Sequence, residues 1–206
     1  MNKINNKIIN NNTVAAVVLN GETYNGKIAG DIIIGVDGGY DKVCAADLFI
    51  GDKDSVVSEI KCNQSILLNV DKDLTDGEFA VDYLIKNGVK NINFYGVAGG
   101  RLDHILANLS IMAKCAQNGV KVVAFCNDMD IYMVSDYLQL QLNNNKIISL
   151  SPFTDSVHII SLEGVKWEIF DQNIYKTSSK TMSNIVTNDT IRLSVDFGIV
   201  MVIVNK

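Results

Sequence analysis

The sequence has few of the residues that build zinc centres and disulfide frameworks. Its 206 residues include two histidines and four cysteines, and no two cysteines are spaced as Cys-x-x-Cys. Structural zinc sites take four such ligands in paired spacings, so we expect no zinc site. Unpaired cysteines are typical of a reducing compartment, and we therefore expect a cytoplasmic protein with free thiols.

The chain also lacks a positive surplus and a long apolar run. Its formal net charge is -5, which argues against nucleic-acid binding because nucleic-acid-binding proteins usually present a basic surface. No stretch is long enough to cross a bilayer, and the polar, Asn-rich residues 1–12 do not resemble a secretory signal, so we expect no membrane partner. A hydrophobic fraction of 48% with 20% charged residues is ordinary for a globular protein with a sizeable core.

Strand and helix patterns alternate over the first 130 or so residues. Short apolar runs predict strands at residues 14–19, 32–36, 48–50, 66–70, 91–96 and 121–125. A Thr75-x-x-Glu78 capping box predicts a helix over 75–87. A second helix is predicted over 102–118, with an apolar face expected to be buried: Leu102, Ile105, Leu106, Leu109, Met112 and Ala113. The alternation predicts an α/β domain over 1–130, with a mostly parallel, Rossmann-like sheet covered on both faces.

The pattern changes after about Asp136. Residues 137–142 alternate strictly between apolar and polar, and further short β-type runs follow without a helical period, at 147–150, 157–160, 167–170, 190–195 and 199–204. This pattern predicts an all-β domain over 131–206, built as an antiparallel sandwich or roll. The domain boundary is expected between Asp128 and Asp136.

Two loops that follow predicted strands are rich in aspartate. Asp52 and Asp54 straddle one residue, and Asp71, Asp73 and Asp76 crowd the next loop. Alternate residues of an extended segment share a face, so a pair of carboxylates can face one hard cation. Like charges this close are costly unless a cation compensates them. Each loop alone could be an acidic turn before a helix; the combination indicates a magnesium site.

Glycines at strand ends indicate an anion-binding edge. Gly99-Gly100-Arg101 precedes the long helix, where backbone N–H groups, a helix N-terminus and a guanidinium can hold a phosphate. Asp37-Gly38-Gly39 ends the second strand and is either a turn with Asp37 as N-cap or a close approach of backbone to phosphate or ribose. His104 and Asn108 share a helix face with Arg101 one turn earlier. Since the carboxyl ends of parallel strands meet at one edge, these loops predict a Mg-nucleotide site.

Two other side chains have an ambiguous pattern. Trp167, the only tryptophan, is placed in a strand over 166–170. A core position is the default for tryptophan, although its flat π face also suits a cationic heteroaromatic ligand. His158 lies in an apolar strand and is interpreted as a core or edge residue rather than a ligand.

The ordered set of motifs resembles the thiamine pyrophosphokinase (thiamine diphosphokinase) family. The motifs are Asp37-Gly38-Gly39, Gly51-Asp52-x-Asp54-Ser55, Asp71-x-Asp73-x-Thr75-Asp76, Gly99-Gly100-Arg101-x-Asp103-His104-x-x-x-Asn108, Gly164-Val165-Lys166-Trp167 and Ser183-Asn184. The resemblance spans nearly the whole chain. It implies an N-terminal nucleotide domain, a C-terminal β-sandwich that binds thiamine, and a homodimer with sites at the subunit interface. It also implies Mg-dependent transfer of the β,γ-diphosphate of ATP to the hydroxyl of thiamine, which yields thiamine diphosphate and AMP.

The resemblance and the glycine motifs together assign roles to individual residues. Magnesium would be held by Asp52, Asp54 and Asp76, which with Arg101 and Asp103 form the expected catalytic set. The nucleotide and its phosphates would be contacted by Asp37, Gly38, Gly39, Asp73, Thr75, Gly99, Gly100, Arg101 and His104. Thiamine would be contacted by Asp103, Asn108, Trp167, Ser183 and Asn184, and the last three could come from the partner subunit.

Some positions depart from the family pattern, and two other functions stay open. Lys53 could alter phosphate contacts, Gly77 should soften the start of its helix, and Thr181-Met182 precedes Ser183 where a glycine is commoner.

No cysteine or serine has a nucleophile–base partner, which fits direct attack by the substrate alcohol. The alternatives are a diphosphokinase for another heterocyclic alcohol, such as a hydroxymethylpterin, and a non-catalytic nucleotide or thiamine sensor.

Overall fold

A computed structural model of the chain describes residues 3–5, 7–52, 56–62, 64–69 and 73–206. The chain divides into two compact units, residues 1–127 and 128–206, and both are rich in β-strand. The described part of the chain includes no helix long and apolar enough to cross a membrane. Asp54 and Asp71 of the predicted acidic loops, and Lys53, lie outside the described residues.

The first unit is organised around a sheet of six parallel strands. A short antiparallel pair, β1 (Lys3–Ile4) and β2 (Lys7–Ile8), precedes it. The sheet strands are β3 (Val14–Val18), β4 (Ile32–Val36), β5 (Leu48–Gly51), β6 (Ser65–Leu67), β7 (Asn91–Tyr95) and β8 (Lys121–Phe125). Most are continuous apolar runs, as strands covered on both faces require.

The order of these strands places a reversal at the centre of the sheet. They lie in the order β8–β7–β3–β4–β5–β6, and each neighbouring pair is parallel. The chain therefore moves from β3 in one direction through β4 to β6 and in the other through β7 and β8. Ligands of open parallel sheets bind beyond the carboxyl ends of the strands at such a reversal. The loops after β3 and β7 lie there.

Two helices pack together against the sheet. They are α1 (Asp76–Lys86) and α2 (Leu102–Gln117). Lys114 of α2 joins them, because its ammonium lies 2.9 Å from a Glu78 oxygen and 2.6 Å from an Asp82 oxygen of α1. Thr75 is the N-cap of α1, and its hydroxyl accepts the Glu78 amide at 3.2 Å, as predicted. The Glu78 carboxylate binds Lys114, so only half of the capping box forms.

The predicted buried face of α2 is wrong at its N-terminal end. Leu102 is 69% exposed and Leu106 is 55% exposed. The buried residues of α2 lie in its second half, from Ile111 to Ala116, where the helix contacts α1 and β8. The first turns extend past these neighbours, so their apolar side chains meet solvent.

The other face of the sheet is covered by aromatic rings. Ala16 and Val18 pack there against a cluster formed by Tyr24, Tyr95 and Phe125. The Tyr24 and Tyr95 ring centroids are 5.3 Å apart, and those of Tyr95 and Phe125 are 5.6 Å apart. These contacts hold the segment after β3 against the sheet, which fixes the start of the loop at the central reversal.

The second unit consists of antiparallel strands. They are β9 (Met129–Val134), β10 (Tyr137–Gln141), β11 (Ile147–Pro152), β12 (Ser156–Glu163), β13 (Ile169–Tyr175), β14 (Asn184–Ile185), β15 (Thr190–Phe197) and β16 (Val200–Asn205). One set pairs in the order β10–β15–β12–β13 and the other in the order β14–β11–β16–β9. A common core draws on both sets, for example Ile148, Val157, Leu193 and Val202.

Two sequence expectations for this unit need correction. Strand β9 occupies the segment where only a domain boundary was expected. Trp167 lies before β13, not within a strand, and it is 55% exposed. The alternation that predicted a strand at 167–170 belongs to a strand that begins at Ile169 and extends to Tyr175. A core role for Trp167 is therefore wrong in this chain.

His158 is neither a core residue nor on an edge strand. Strand β12 has neighbours on both sides, and the imidazole of His158 lies between two carboxylates. Its Nδ1 is 2.6 Å from Asp196 Oδ1 and its Nε2 is 3.1 Å from Asp171 Oδ1. The hydrogen bond with Asp196 is the main cause that raises the pKa of His158 above its ordinary value.

Candidate active site

A cleft of ≈ 460 Å³ opens beyond the carboxyl ends of the central strands, beside the N-termini of α1 and α2. The predicted site residues that line it are Asp37, Asp52, Thr75, Asp76, Gly99, Gly100, Arg101, His104 and Asn108. Asp73, which is exposed, and Asp103 are not part of its lining. The cleft therefore collects residues from the segments that follow five strands, β3 to β7.

Three carboxylates line the cleft and are here called its acidic wall; two of them directly follow strands and one opens α1. Asp52 directly follows β5, and Asp76 opens α1 and is only 9% exposed. The helix N-terminus stabilises the Asp76 carboxylate there. Asp37 opens a 3-10 helix over Asp37–Lys42, with a φ of 47°. The N-cap of this helix is Val36, so the expectation that Asp37 caps it is wrong.

Gly38 and Gly39 lie behind the cleft wall. Both are buried, and neither lines the cleft. A Cβ at Gly39 would overlap the carbonyl oxygen of Val18, and one at Gly38 would meet the Asn20 amide. The two glycines thus allow the 3-10 helix to cross β3 closely. A contact between this backbone and a nucleotide stays a prediction.

The basic side of the cleft is Arg101, the N-cap residue of α2. Its Nε donates to Asp103 Oδ1 at 3.1 Å and its Nη2 donates to Oδ2 at 2.5 Å. This pairing raises the pKa of Arg101 and lowers the pKa of Asp103. Asp103 Oδ1 also accepts the backbone N–H of His104 at 3.0 Å. Asp103 therefore orients the guanidinium.

The loop before α2 presents backbone without side chains. Gly99 and Gly100 have φ values of 87° and 78°, which favour glycine because an L side chain is strained there. Asn108 supports this loop, since its Nδ2 donates to the Val97 carbonyl at 3.1 Å. The cleft side of α2 thus combines a glycine turn, a helix N-terminus and a guanidinium, which together suit a phosphate.

A backbone ladder joins the loops after β3 and β7. Gly21 N–H donates to the Gly96 carbonyl at 2.9 Å, and Glu22 N–H donates to the Ala98 carbonyl at 2.6 Å. Gly21 and Gly96 approach so closely that a Cβ at either would overlap the other loop's backbone. The Lys42 ammonium donates to the Gly21 carbonyl, and burial lowers the pKa of this lysine.

Several lining residues were missed from the sequence. They are Leu19, Asn20, Val36, Leu74, Gly77 and Ala107, and Gly21 of the loop after β3 lines the cleft as well. Asn20 is exposed in the cleft and lies two residues after the end of the central strand β3. Its position at the end of an early strand was the signal that could have placed it in the site. The signal was overlooked because an Asn-Gly pair is also common in ordinary turns.

The remaining predicted residues lie in the second unit. The Trp167 indole is exposed, and the Lys166 ammonium lies 4.7 Å from its ring centroid. Ser183 has a φ of 56°, and its N–H donates to the Ser149 hydroxyl at 2.9 Å. Asn184 is 4% exposed and uses its side chain to bind the backbone of its own chain. Its side chain is therefore turned away from solvent.

The acidic wall suits magnesium held together with a polyphosphate. Among the residues that the structure describes, no group of three histidine, cysteine, aspartate or glutamate side chains is arranged to hold an ion. Asp52 and Asp76 do line the same cleft. Magnesium bound to a polyphosphate takes one or two protein carboxylates and completes its shell with water and phosphate oxygens. Two carboxylates are sufficient for that arrangement.

Comparison with known proteins decides the family. The model of the thiamin pyrophosphokinase catalytic domain matches residues 28–124, and the model of the thiamin pyrophosphokinase vitamin B1 binding domain matches residues 137–200. The chain belongs to the thiamin pyrophosphokinase family. The two matched segments fall in the first and second structural units of this family member.

Individual relatives agree with this assignment. The chain is 27% identical to a thiamine pyrophosphokinase of Bacillus subtilis over 135 residues, which is 65% of this chain and 63% of the relative. It is 24% identical to thiamine pyrophosphokinase 1 of Oryza sativa over 174 residues, 76% of this chain and 65% of the relative. The matches thus span slightly less than two thirds of the length of these relatives.

Solved structures of the thiamin pyrophosphokinase family share the fold. The crystal structure of thiamine pyrophosphokinase from Bacillus subtilis superposes with a TM-score of 0.78 at 22% identity, and covers 94% of this chain and 99% of that chain. Thiamin pyrophosphokinase from Candida albicans superposes with a TM-score of 0.72 at 15% identity, with 94% and 89% covered.

Proposed function

We propose that this family member is a thiamine pyrophosphokinase, a magnesium-dependent transferase that moves the diphosphate of ATP to the hydroxyl of thiamine. The observation that carries the proposal is a single cleft lined by the carboxylates of its acidic wall, by Arg101 and by the Gly99–Gly100 turn. In this proposal the first unit is a Rossmann-like α/β nucleotide domain and the second is a thiamine-binding sandwich. The enzyme acts as a cytoplasmic homodimer.

The proposed reaction is a direct displacement. The hydroxyl oxygen of thiamine attacks the β-phosphorus of ATP, and the bond from that phosphorus to the bridging oxygen of AMP breaks. AMP leaves with the bridging oxygen, and the hydroxyl proton passes to solvent. Such transfers depend on positioning and on neutralising charge more than on covalent catalysis.

The cleft residues divide this work by charge. Asp52, Asp76 and Asp54 would hold magnesium, which when bound draws charge from the phosphate oxygens. The Arg101 guanidinium binds an oxygen of the transferred diphosphate, and Asp103 keeps the guanidinium aimed before the substrate arrives. The N–H groups at the start of α2 bind the same anion.

The other cleft residues would bind the nucleotide. We assign Asp37, Asp73, Thr75 and His104 to contacts with the ribose and the phosphates, as the family resemblance implies. Asp37, Thr75 and His104 line the cleft and support this assignment. Gly38 and Gly39 would act through the close crossing behind the wall rather than by direct contact.

We further propose that thiamine binds where Trp167 meets a homodimer interface. The indole is exposed and already attracts the Lys166 ammonium, which is the behaviour that a cationic thiazolium ring needs from an aromatic partner. Leu74, Leu102 and Leu106 are exposed apolar residues beside the cleft. A second copy of the chain that covers them would remove this apolar surface from water.

The test is AMP formation from Mg-ATP with thiamine, with a hydroxymethylpterin and with no alcohol. We expect AMP only with thiamine, and a loss of about 100-fold or more in Asp52→Asn, because one neutralising group of the transition state is removed. Asp189→Asn, an exposed carboxylate of the second unit, serves as the matched control.

Each other outcome assigns a different function. AMP release with the pterin but not with thiamine would identify a diphosphokinase for another heterocyclic alcohol. Nucleotide binding without AMP release from any alcohol would identify a sensor. Full activity of Asp52→Asn would remove this residue from the metal site.

A further inference from the structure

The peptide of Trp167 is held by a single buried amide side chain. Asn184 Nδ2 donates to the Trp167 carbonyl at 2.8 Å, and Asn184 Oδ1 accepts the Trp167 N–H at 3.1 Å. The same oxygen accepts the Ile185 N–H at 2.9 Å. Asn184 therefore binds both backbone polar groups of Trp167 and is 4% exposed.

The hydrogen bonds of Asn184 to Trp167 are here called the clamp, and the surrounding backbone adds further contacts to it. Lys166 N–H donates to the Ile185 carbonyl at 2.8 Å, and Val165 pairs with Val186 in an antiparallel bridge. Residues 164–167, here called the Trp167 loop, thus run alongside β14. Since buried backbone groups need partners, the loop has one preferred conformation as long as Asn184 is present.

The indole ring of Trp167 is not buried, so it is accessible to a ligand although the clamp holds its backbone. Trp167 is 55% exposed, while its backbone is fixed. The Lys166 ammonium, 4.7 Å from the ring centroid, demonstrates that this ring accepts a cation. An exposed aromatic ring on a fixed backbone loses little conformational freedom when a ligand stacks on it.

We propose that Asn184 is a positioning residue, which presents the Trp167 indole to the cationic ring of the substrate and does not itself contact the substrate. The proposal rests on the proposed function, because thiamine is the substrate that would stack there. It changes the role that the family resemblance gives to Asn184, from a thiamine contact to a support that acts through Trp167.

Two variants separate the clamp from the fold. Asn184→Asp keeps the size and the acceptor oxygen but replaces the donor to the Trp167 carbonyl with a carboxylate oxygen. Asn184→Ala removes all three hydrogen bonds. Thr181→Val is the matched control, because Thr181 is equally buried and its hydroxyl donates to the Leu150 carbonyl at 2.6 Å, away from Trp167.

The first readout needs no substrate. Trp167 is the only tryptophan, so fluorescence excited at wavelengths beyond the absorption of the seven tyrosines reports this residue alone. We expect a lower emission anisotropy and faster acrylamide quenching in both Asn184 variants, and wild-type values in Thr181→Val. If Asn184→Ala does not fold, as judged by circular dichroism, Asn184→Asp carries the test.

The second readout is steady-state kinetics of AMP release. We expect the KM for thiamine to rise about 10-fold in Asn184→Asp while the KM for ATP stays within about 2-fold, because only the stacking partner is misplaced. Equal changes in both KM values, or wild-type fluorescence and wild-type thiamine KM, would overturn the proposal. If the wild-type protein releases no AMP with thiamine, the proposed function fails, and the fluorescence of the ligand-free variants still decides whether Asn184 orders Trp167.

Discussion

The cleft of the first unit and the Trp167 loop of the second unit hold their functional side chains in different ways. In the cleft, Arg101 pairs with Asp103 of the adjoining helix turn, and both side chains are largely exposed. In the Trp167 loop, a buried amide fixes the backbone and leaves one ring exposed. Exposed charges contribute little until a ligand excludes water around them. The electrostatic interactions of the cleft therefore become strong only when a ligand binds, whereas the Trp167 loop is ordered before binding.

The largest effect on the rate is expected when the Arg101 guanidinium is removed from the cleft. We expect Arg101→Ala to lower kcat for AMP release by about 100-fold to 1,000-fold, since a preorganised charge opposite the developing phosphate charge is lost. Arg101→Lys should recover only part of the rate, because an ammonium cannot make the paired contact with Asp103. Steady-state kinetics with thiamine and Mg-ATP measures both.

The other arginine supplies the control for this variant. Arg192 lies exposed on β15 of the second unit, and Arg192→Ala should retain wild-type kcat. A rise in KM for ATP with an unchanged kcat in Arg101→Ala would mean that the guanidinium binds the ground state only.

A second test concerns the wall behind the cleft. Gly39→Ala places a methyl group on the Val18 carbonyl oxygen, and the backbones of the 3-10 helix and β3 would have to move apart. We expect a loss of about 3 kcal/mol in the free energy of unfolding, as for other overpacked sites. Urea denaturation measures it.

Gly77→Ala is the comparison for that variant. Its Cβ would meet only the ends of two flexible side chains, Ile111 at 3.2 Å and Leu19 at 3.3 Å. A gain in helix propensity of up to about 1 kcal/mol offsets this contact, so we expect stability to change by less than about 1 kcal/mol. Equal losses in Gly39→Ala and Gly77→Ala would show that the Gly39 crossing is not tight.

The smallest effect is expected at a charged cluster of the second unit. The pKa of His158 is raised above its ordinary value of 6.5, first by the hydrogen bond with Asp196. A raised pKa means that the folded state binds the proton more tightly, so the stabilisation is complete below 6.5 and disappears as the pH rises through the raised pKa. His158→Gln should therefore lower the free energy of unfolding in acid and leave it nearly unchanged in alkali.

Urea titrations at several pH values check this sign. Asp196→Asn should remove most of the same pH-dependent stabilisation, since it deletes the main partner of the imidazole. A stability difference between wild type and His158→Gln that grows with pH would contradict the assignment.

The sequence predicted the elements that are continuous apolar runs between turns. Strands β4 and β8 lie where the patterns placed them, because a short run rich in apolar and β-branched residues between turns has few alternatives. Strand β9 was missed, since its segment Met129–Val134 mixes polar and apolar residues and follows closely on β8.

Exposure was the property that the sequence could not supply. Leu102 and Leu106 fit a helical apolar stripe, but periodicity does not reveal where neighbouring elements end. Trp167 is an apolar side chain that the fold leaves in solvent. Most predicted cleft residues do line one cavity, because strand ends meet at one edge; Asn20 escaped notice since its type is common in turns. The catalytic roles of all these residues stay predictions.

The close backbone contact between the loops after β3 and β7 predicts which mutations the gene can tolerate at two glycine codons. Every amino acid other than glycine carries a Cβ, so every missense change in the codons of Gly21 or Gly96 introduces an atom where the opposite backbone already lies. These two codons should therefore tolerate synonymous change alone, although neither residue has a side chain with which to take part in chemistry. Selection at this edge of the sheet would therefore preserve the absence of a side chain.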